Sequence, residues 1–263
     1  MRSSVTPLAL LPIIAVLSLP ANAEPVTLPL GATGIKGTVY QERASWARAR
    51  VGLGIETNII DKAELKDLDG EVEGNISTVK IVYSVANRVD LYAKFGVASG
   101  LKYRGKSQGD DFEFDLRDEF AWGAGIAAVL YEDESGLSII TDLQYQTVQG
   151  IDYDGITIND VFYSRDQLGG ATDAEYTQWH AALGLSYKFS GFTPYAGIKF
   201  VGSDYSANAT WGGTTYDAGS TEKDSLVGAF FGLTMLPADR LAIDIQGRVV
   251  DEEAFSASLT FMF

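Results

Sequence analysis

Apolar and polar residues alternate with a period of two along most of the chain. Near the C-terminus Phe255, Ala257, Leu259, Phe261 and Phe263 fall on one side, and Ser256, Ser258, Thr260 and Met262 on the other. An extended strand with two unlike faces reads this way, because successive side chains point to opposite sides of a sheet. Ala49, Val51, Leu53 and Ile55 alternate in the same manner with Arg48, Arg50, Gly52, Gly54 and Glu56. Val79, Ile81, Tyr83 and Val85 alternate with Thr78, Lys80, Val82 and Ser84, and Val89, Leu91, Ala93, Phe95 and Val97 with Asp90, Tyr92, Lys94 and Gly96. Leu241, Ile243 and Ile245 alternate with Ala242, Asp244, Gln246 and Arg248.

The pattern predicts ten strands, over 47–58, 76–86, 89–99, 119–131, 136–148, 176–189, 194–203, 224–236, 240–250 and 253–263. Their lengths match the roughly 9–11 residues with which a tilted strand crosses a bilayer, and exceed the roughly 5–6 of an ordinary globular strand. The connections alternate between short (87–88, 132–135, 190–193, 237–239) and long (59–75, 100–118, 149–175, 204–223), the asymmetry of a membrane barrel; the connection near Val250 to Glu253 departs from it. Hairpin pairing can keep outward residues opposite outward residues. Val85 is set against Val89, Leu130 against Leu137, Met235 against Leu241 and Val249 against Phe255. Those registers place Trp122 opposite Tyr145, Phe231 opposite Ile245, and Ile245 opposite Leu259. Trp122, Tyr145 and Trp179 fall toward one rim, and Tyr83, Tyr187, Phe189 and Phe263 toward the other, where amphipathic rings suit the membrane interfaces. The expected fold is all-β, an antiparallel up-and-down transmembrane β-barrel of about ten strands, with eight or twelve as alternatives.

Composition sharpens this picture. Only Pro194 and Pro237 follow Pro29, which favours continuous sheet, since proline removes a ladder donor. No later stretch is apolar for long enough to span as a helix. The net charge of −15, with no basic patch in view, argues against nucleic acid as a partner, and the absence of cysteine excludes disulfides and thiolate sites. At the N-terminus Met1-Arg2, an apolar run from Pro7 to Leu19 and Ala21-Asn22-Ala23 form a secretory signal peptide over 1–23, with cleavage expected after Ala23. Residues 24–46 are expected to be an N-terminal periplasmic segment, although Ile35–Tyr40 could add a strand or enter the lumen; residues 47–263 are the barrel domain.

The export signal, the period-two strands and the alternate apolar residues that end at Phe263 resemble bacterial outer-membrane β-barrel proteins of the small porin-like and OmpA-like kind. Val89–Gly96 and Phe192–Gly197 look like hairpin strands of such barrels. The resemblance implies a place in the bacterial outer membrane and contact with its lipid. It also implies help from periplasmic chaperones, and a barrel-assembly machinery that reads Phe255, Leu259, Phe261 and Phe263 as its signal. The role implied is structural, surface contact or passage of small solutes. The sequence does not give an oligomeric state.

The polar faces hold the candidate chemistry. Arg48, Arg50, Lys80, Lys94, Lys188, Lys199 and Arg248, with Glu56, Asp90, Asp142 and Asp244, share the face away from lipid, as do Gln144 and His180. A plug of ion pairs or a narrow charged pore would use this set, and the small interior of a ten-strand barrel favours the plug. His180 and Asp142 could form a general-base pair and make the protein an outer-membrane hydrolase. Omptin-type proteases are also ten-stranded, but their rim motif has no match here. The G-x-G-x-x-A run at Gly123–Ala128 lies inside a strand, so a dinucleotide site is not expected. The acidic long connections lack a calcium-loop pattern and read as solvated, self-repelling loops. No catalytic residue, cofactor or metal is expected, and the chain reads as a non-enzyme. A secreted lipocalin-like barrel that binds an apolar ligand is the soluble alternative; it would turn its apolar faces inward.

Overall fold

The computed structural model describes residues 25–36, 49–65, 70–107, 110–168, 170–211, 214–250 and 252–263. It contains the strands β1 (Ala49–Leu65), β2 (Gly70–Val85), β3 (Val89–Ser107), β4 (Asp110–Leu116), β5 (Glu119–Glu132), β6 (Leu137–Ile151) and β7 (Tyr153–Ile158). These are followed by β8 (Val161–Ser164), β9 (Gly170–Tyr187), β10 (Phe192–Trp211), β11 (Thr214–Ala238), β12 (Leu241–Val249) and β13 (Glu253–Met262). Ten of them pair antiparallel in the ring β1-β2-β3-β5-β6-β9-β10-β11-β12-β13, and β13 returns to β1. The backbone N–H of Phe263 donates to the carbonyl of Val51 at 2.9 Å, which completes the seam. The ring therefore has ten strands, not eight or twelve.

The long connections are not loops. β1 and β2 continue to Leu65 and Gly70, and β10 and β11 to Trp211 and Thr214. β4 pairs with the far end of β3, β7 with β4, and β8 with β7, so three further strands widen the sheet beyond the ring. Acidic composition obscured these strands, since charged residues are poor strand formers on average. Here their charges are paired across strands. Arg104 binds Glu73 at 2.8 and 3.0 Å and Glu113 at 2.5 Å, while Lys102 reaches Glu113 at 2.9 Å and Asp115 at 3.3 Å.

The Val85–Val89 register is as expected, but three others differ by two residues. Trp122 faces Thr147, Phe231 faces Gly247, and Ile245 faces Ala257. The first two of these pairings also carry one-residue bulges toward their turns, between Val129 and Tyr131 and between Met235 and Ala238. A bulge adds a residue to one strand. A slip of two leaves every side chain on its own face, so the sidedness of the strands is unaffected.

That sidedness is the main physical feature. Leu53, Ile55, Val79, Ile81, Phe95, Phe231 and Leu259 point outward and are between 39% and 59% exposed. Water does not tolerate so wide an apolar surface, and acyl chains do. The arrangement is the reverse of a lipocalin-like soluble barrel. Aromatic side chains gather at the short-turn end, where Phe189 stacks on Phe192 at 4.7 Å and Phe261 meets Phe263 edge-on at 5.4 Å. Among the described residues no helix is long and apolar enough to cross a membrane.

The expected periplasmic segment differs most from the structure. Its described part, residues 25–36, lies inside the ring. Val26, Thr27, Leu28, Ala32 and Ile35 are all buried. The segment passes through a helical turn, Leu30–Thr33, and reaches the short-turn end, where Lys36 binds Asp239 at 3.1 Å. Gly31 packs so closely against the Ala86–Arg88 turn that an added Cβ would stand 1.7 Å from the carbonyl oxygen of Asn87. The cause is polarity. From Pro25 to Ile35 the segment carries no charge, and it finds inside the ring both apolar contacts and acceptors for its amides.

Candidate functional site

The inward faces of the strands supply carboxylates and amides at the level of the segment. Gln246 on β12 binds the backbone of Val26 in both directions. Its Oε1 accepts the N–H and its Nε2 donates to the carbonyl, each at 2.9 Å. Asp142 on β6 accepts the N–H of Thr27 at 2.8 Å, and Asp90 on β3 accepts that of Leu30 at 2.5 Å. Arg50 on β1 donates to the carbonyl of Ile35 at 2.8 Å. An extended segment enclosed by a ring cannot pair with the wall's backbone, which is already used in the barrel ladder. Side chains must satisfy it, because an unmet buried amide costs about 1–3 kcal/mol.

These wall groups are themselves held. Asp142 accepts His180 Nε2 at 2.9 Å and the Tyr92 hydroxyl at 2.7 Å. The Tyr92 hydroxyl also donates to Gln144 at 2.9 Å. Gln246 donates to the Tyr195 hydroxyl at 3.0 Å, and Tyr195 with Thr234 donates to Asp244. Beyond the segment, toward the long-connection end, the lumen holds the cations. Lys80 and Lys94 share Glu56 at 3.2 and 2.7 Å, and Lys199 and Arg248 share Glu252 at 2.5 and 2.7 Å. Arg248 also binds Ser256 at 3.2 Å and Asn58. Buried charges persist only when paired in this way. A cavity of about 30 Å³ remains between the segment and the wall of β1, β2, β12 and β13. It is room for two or three waters, which need roughly 10–15 Å³ each.

The structure thus gathers Arg50, Lys80, Asp90, Lys94, Asp142, Gln144, His180, Lys199, Asp244 and Arg248 inside the ring, most of them under 6% exposed. Arg48 lies outside the described residues. Lys188 stands elsewhere, half-buried at the short-turn end, where it binds Glu132 at 2.7 Å. Phe255, Leu259, Phe261 and Phe263 line the outer surface of β13 and its end. The His180–Asp142 pair forms, but both side chains are sealed, at 1% and 0% exposure, and the oxygens of Asp142 are taken by Thr27, Tyr92 and His180. With residues 25–36 in place the pair is shut off from solvent. Among the described residues no group of acidic residues and His180 could hold a metal ion. The G-x-G-x-x-A run lies within β5, where a Cβ on Gly125 would stand 2.3 Å from the Tyr92 hydroxyl. That glycine makes room for the ring that holds Asp142.

Sequence reasoning missed Glu252, the backbone role of Gln246, and the tyrosine struts. Glu252 falls in the short turn after β12, outside any alternating pattern. Tyr92 was visible on the inward face, but its phase alone does not say which carboxylate it serves.

No family model matches the chain. Curated relatives include the major outer membrane porin of Chlamydia muridarum, 25% identical over 132 residues that cover 34% of this chain and 33% of the relative. The serovar D porin of Chlamydia trachomatis is 26% identical over 144 residues, covering 40% and 37%. The chain spans about a third of the length of the curated relatives it matches. Among solved structures it is similar to the outer membrane protease OmpT of Escherichia coli, with a TM-score of 0.48, 11% identity and coverage of 82% of this chain and 96% of that one. It is also similar to the outer membrane protein OprG of Pseudomonas aeruginosa, with a TM-score of 0.39, 11% identity and coverage of 82% and 96%. By their names these are outer-membrane proteins, and what the chain itself shows is a closed ten-strand ring with an outward apolar belt.

Proposed function

We propose that the chain is an integral protein of the bacterial outer membrane whose lumen is closed at rest by its own residues 25–36, and whose role is structural and surface contact. Export would remove residues 1–23. Periplasmic chaperones would carry the chain, and the barrel-assembly machinery would read Phe255, Leu259, Phe261 and Phe263. Lipid would then cover the outward belt. The sheet built on β3, β4, β7 and β8 would stand outside the cell as the contact surface. The observation that carries the closed state is the set of bonds from Val26, Thr27 and Leu30 to Gln246, Asp142 and Asp90. A lumen so occupied, and cross-linked beyond by Glu56 and Glu252, leaves no continuous aqueous path.

Two measurements test this. On an unboiled gel the folded protein is expected to migrate apart from the boiled one, and a soluble fold without that shift overturns the membrane barrel. In a planar bilayer the intact protein is expected to pass no steady unit current. A steady ohmic conductance overturns the closed state and favours the small-solute passage that the porin relatives' names suggest.

A further inference from the structure

The contacts around residues 25–36 have the chemistry of a receptor for an extended peptide. Gln246 reads the N–H and the carbonyl of a single residue, which recognises backbone and not sequence. Asp142 and Asp90 take the N–H groups of Thr27 and Leu30, one and four residues further on. Alternate side chains then choose among peptides. Val26 and Leu28 enter an apolar pocket formed with Val129, Ile140, Ala182 and Phe230. Leu30 and Ile35 enter a second with Val82, Ala242 and Met262. Main-chain bonds for affinity and pockets for alternate residues are the general means by which proteins bind extended peptides.

The receptor does not depend on the segment for its shape. Without it Asp142 keeps His180 and Tyr92, and Gln246 keeps Tyr195, which is fixed by Asp244. Preorganised groups of this kind bind with less ordering cost. The fit is not close throughout, since a cavity of about 30 Å³ remains along the segment beside Glu56, Lys80, Asp244 and Ser258.

We propose that the lumen wall is a binding site for an uncharged peptide that enters extended, with alternate apolar residues as at 26, 28 and 30, and then turns, which residues 25–36 occupy in cis. The inference rests on the barrel reading above. The apolar pockets disfavour charge of either sign along the bound stretch, and the carboxylates at 90, 142 and 244 disfavour acidic side chains in particular.

The test uses a variant that lacks residues 25–36 and a labelled synthetic peptide of that sequence. Saturable binding to the heat-modifiable variant is expected, weakened at least tenfold by Gln246→Ala and abolished in a peptide carrying Val26→Asp and Leu28→Asp. No saturable binding, or equal binding of the charged peptide, overturns the site and leaves the barrel reading intact, because heat modification reports the barrel separately. Hydrogen exchange on the full chain covers the case in which the shortened variant does not fold. The amides of Val26, Thr27 and Leu30 are expected to exchange faster than those of Lys94 and Asp142 in the wall. Exchange at the wall's rate overturns the proposal, since the segment would then leave only when the barrel unfolds.

Discussion

His180 Nε2 and Asp142 Oδ2 stand 2.9 Å apart, joined across β9 and β6 and closed off from solvent. Such a pair resembles a catalytic base, but its third and fourth partners are the Tyr92 hydroxyl and the N–H of Thr27. All four donors and acceptors are used in holding the wall to the segment. His180→Ala is therefore expected to destabilise the barrel by about 2 kcal/mol, the range for leaving a buried acceptor short of a donor. Denaturant unfolding in detergent micelles measures it. An unchanged midpoint would show that the pair carries no structural weight.

Lys199 and Arg248 converge on Glu252, which the turn between β12 and β13 folds into the lumen. Glu252→Gln removes the carboxylate the two cations share. Breaking a buried ion pair on one side costs about 3–5 kcal/mol, so the variant should unfold at clearly lower denaturant. A conservative Glu252→Asp should lose less. Equal loss from both would mean that length and not charge sets the contact.

Outside the ring, the Arg104 guanidinium bound to Glu113, with the Lys102 ammonium beside it, holds the Glu113 carboxyl below the usual carboxylate range. A lowered folded value favours the folded state above the unfolded value of about 4.3 and loses that benefit as pH falls through the folded value. The sheet of β3, β4, β7 and β8 should thus loosen in acid while the ring persists. Proteolysis between Lys102 and Asp115 should speed up below about pH 4. Glu113→Gln should make the sheet equally sensitive at neutral pH and remove the acid step. High salt should have a similar, smaller effect, because these charges are partly exposed.

Five described non-glycine residues at tight turns have left-handed backbones: Ala86 and Asn87 between β2 and β3, Asn159 and Asp160 between β7 and β8, and Val250 after β12, at φ 53°, 56°, 47°, 65° and 87°. The first two form the mirror-image turn that matches strand twist, and asparagine tolerates it better than alanine. Val250, β-branched and 80% exposed, has the least excuse for such a backbone. Ala86→Gly and Val250→Gly are each expected to stabilise by up to about 1 kcal/mol, since an L-residue in this region costs roughly 1–2 kcal/mol. Destabilisation by Val250→Gly would mean that its side chain holds the turn.

The ring was legible in the sequence because its constraint is simple. Lipid outside and charge inside force strict alternation, and Leu53, Ile81, Phe95 and Leu259 obey it. Registers were less legible, since a slip of two preserves alternation, and bulges at Val129 and Met235 leave no compositional mark. The added strands β4, β7 and β8 were hidden because cross-strand ion pairs such as Arg104–Glu113 look like repulsive acidic runs when partners are unknown. The segment at 25–36 was hidden for the opposite reason. It has no strong pattern of its own, and its place depends on acceptors such as Gln246 that lie more than two hundred residues away.

The seam of the ring joins residues 52–62 to 253–262. No part of the cylinder can therefore shut until its last strand is made, and the contact that shuts it spans nearly the whole chain. A product cut short anywhere before β13 would carry two bare strand margins, with their N–H and C=O groups open to any other chain. Such fragments should clump where the full-length chain inserts, and quality control in the envelope would meet them as aggregates and not as small leaky barrels.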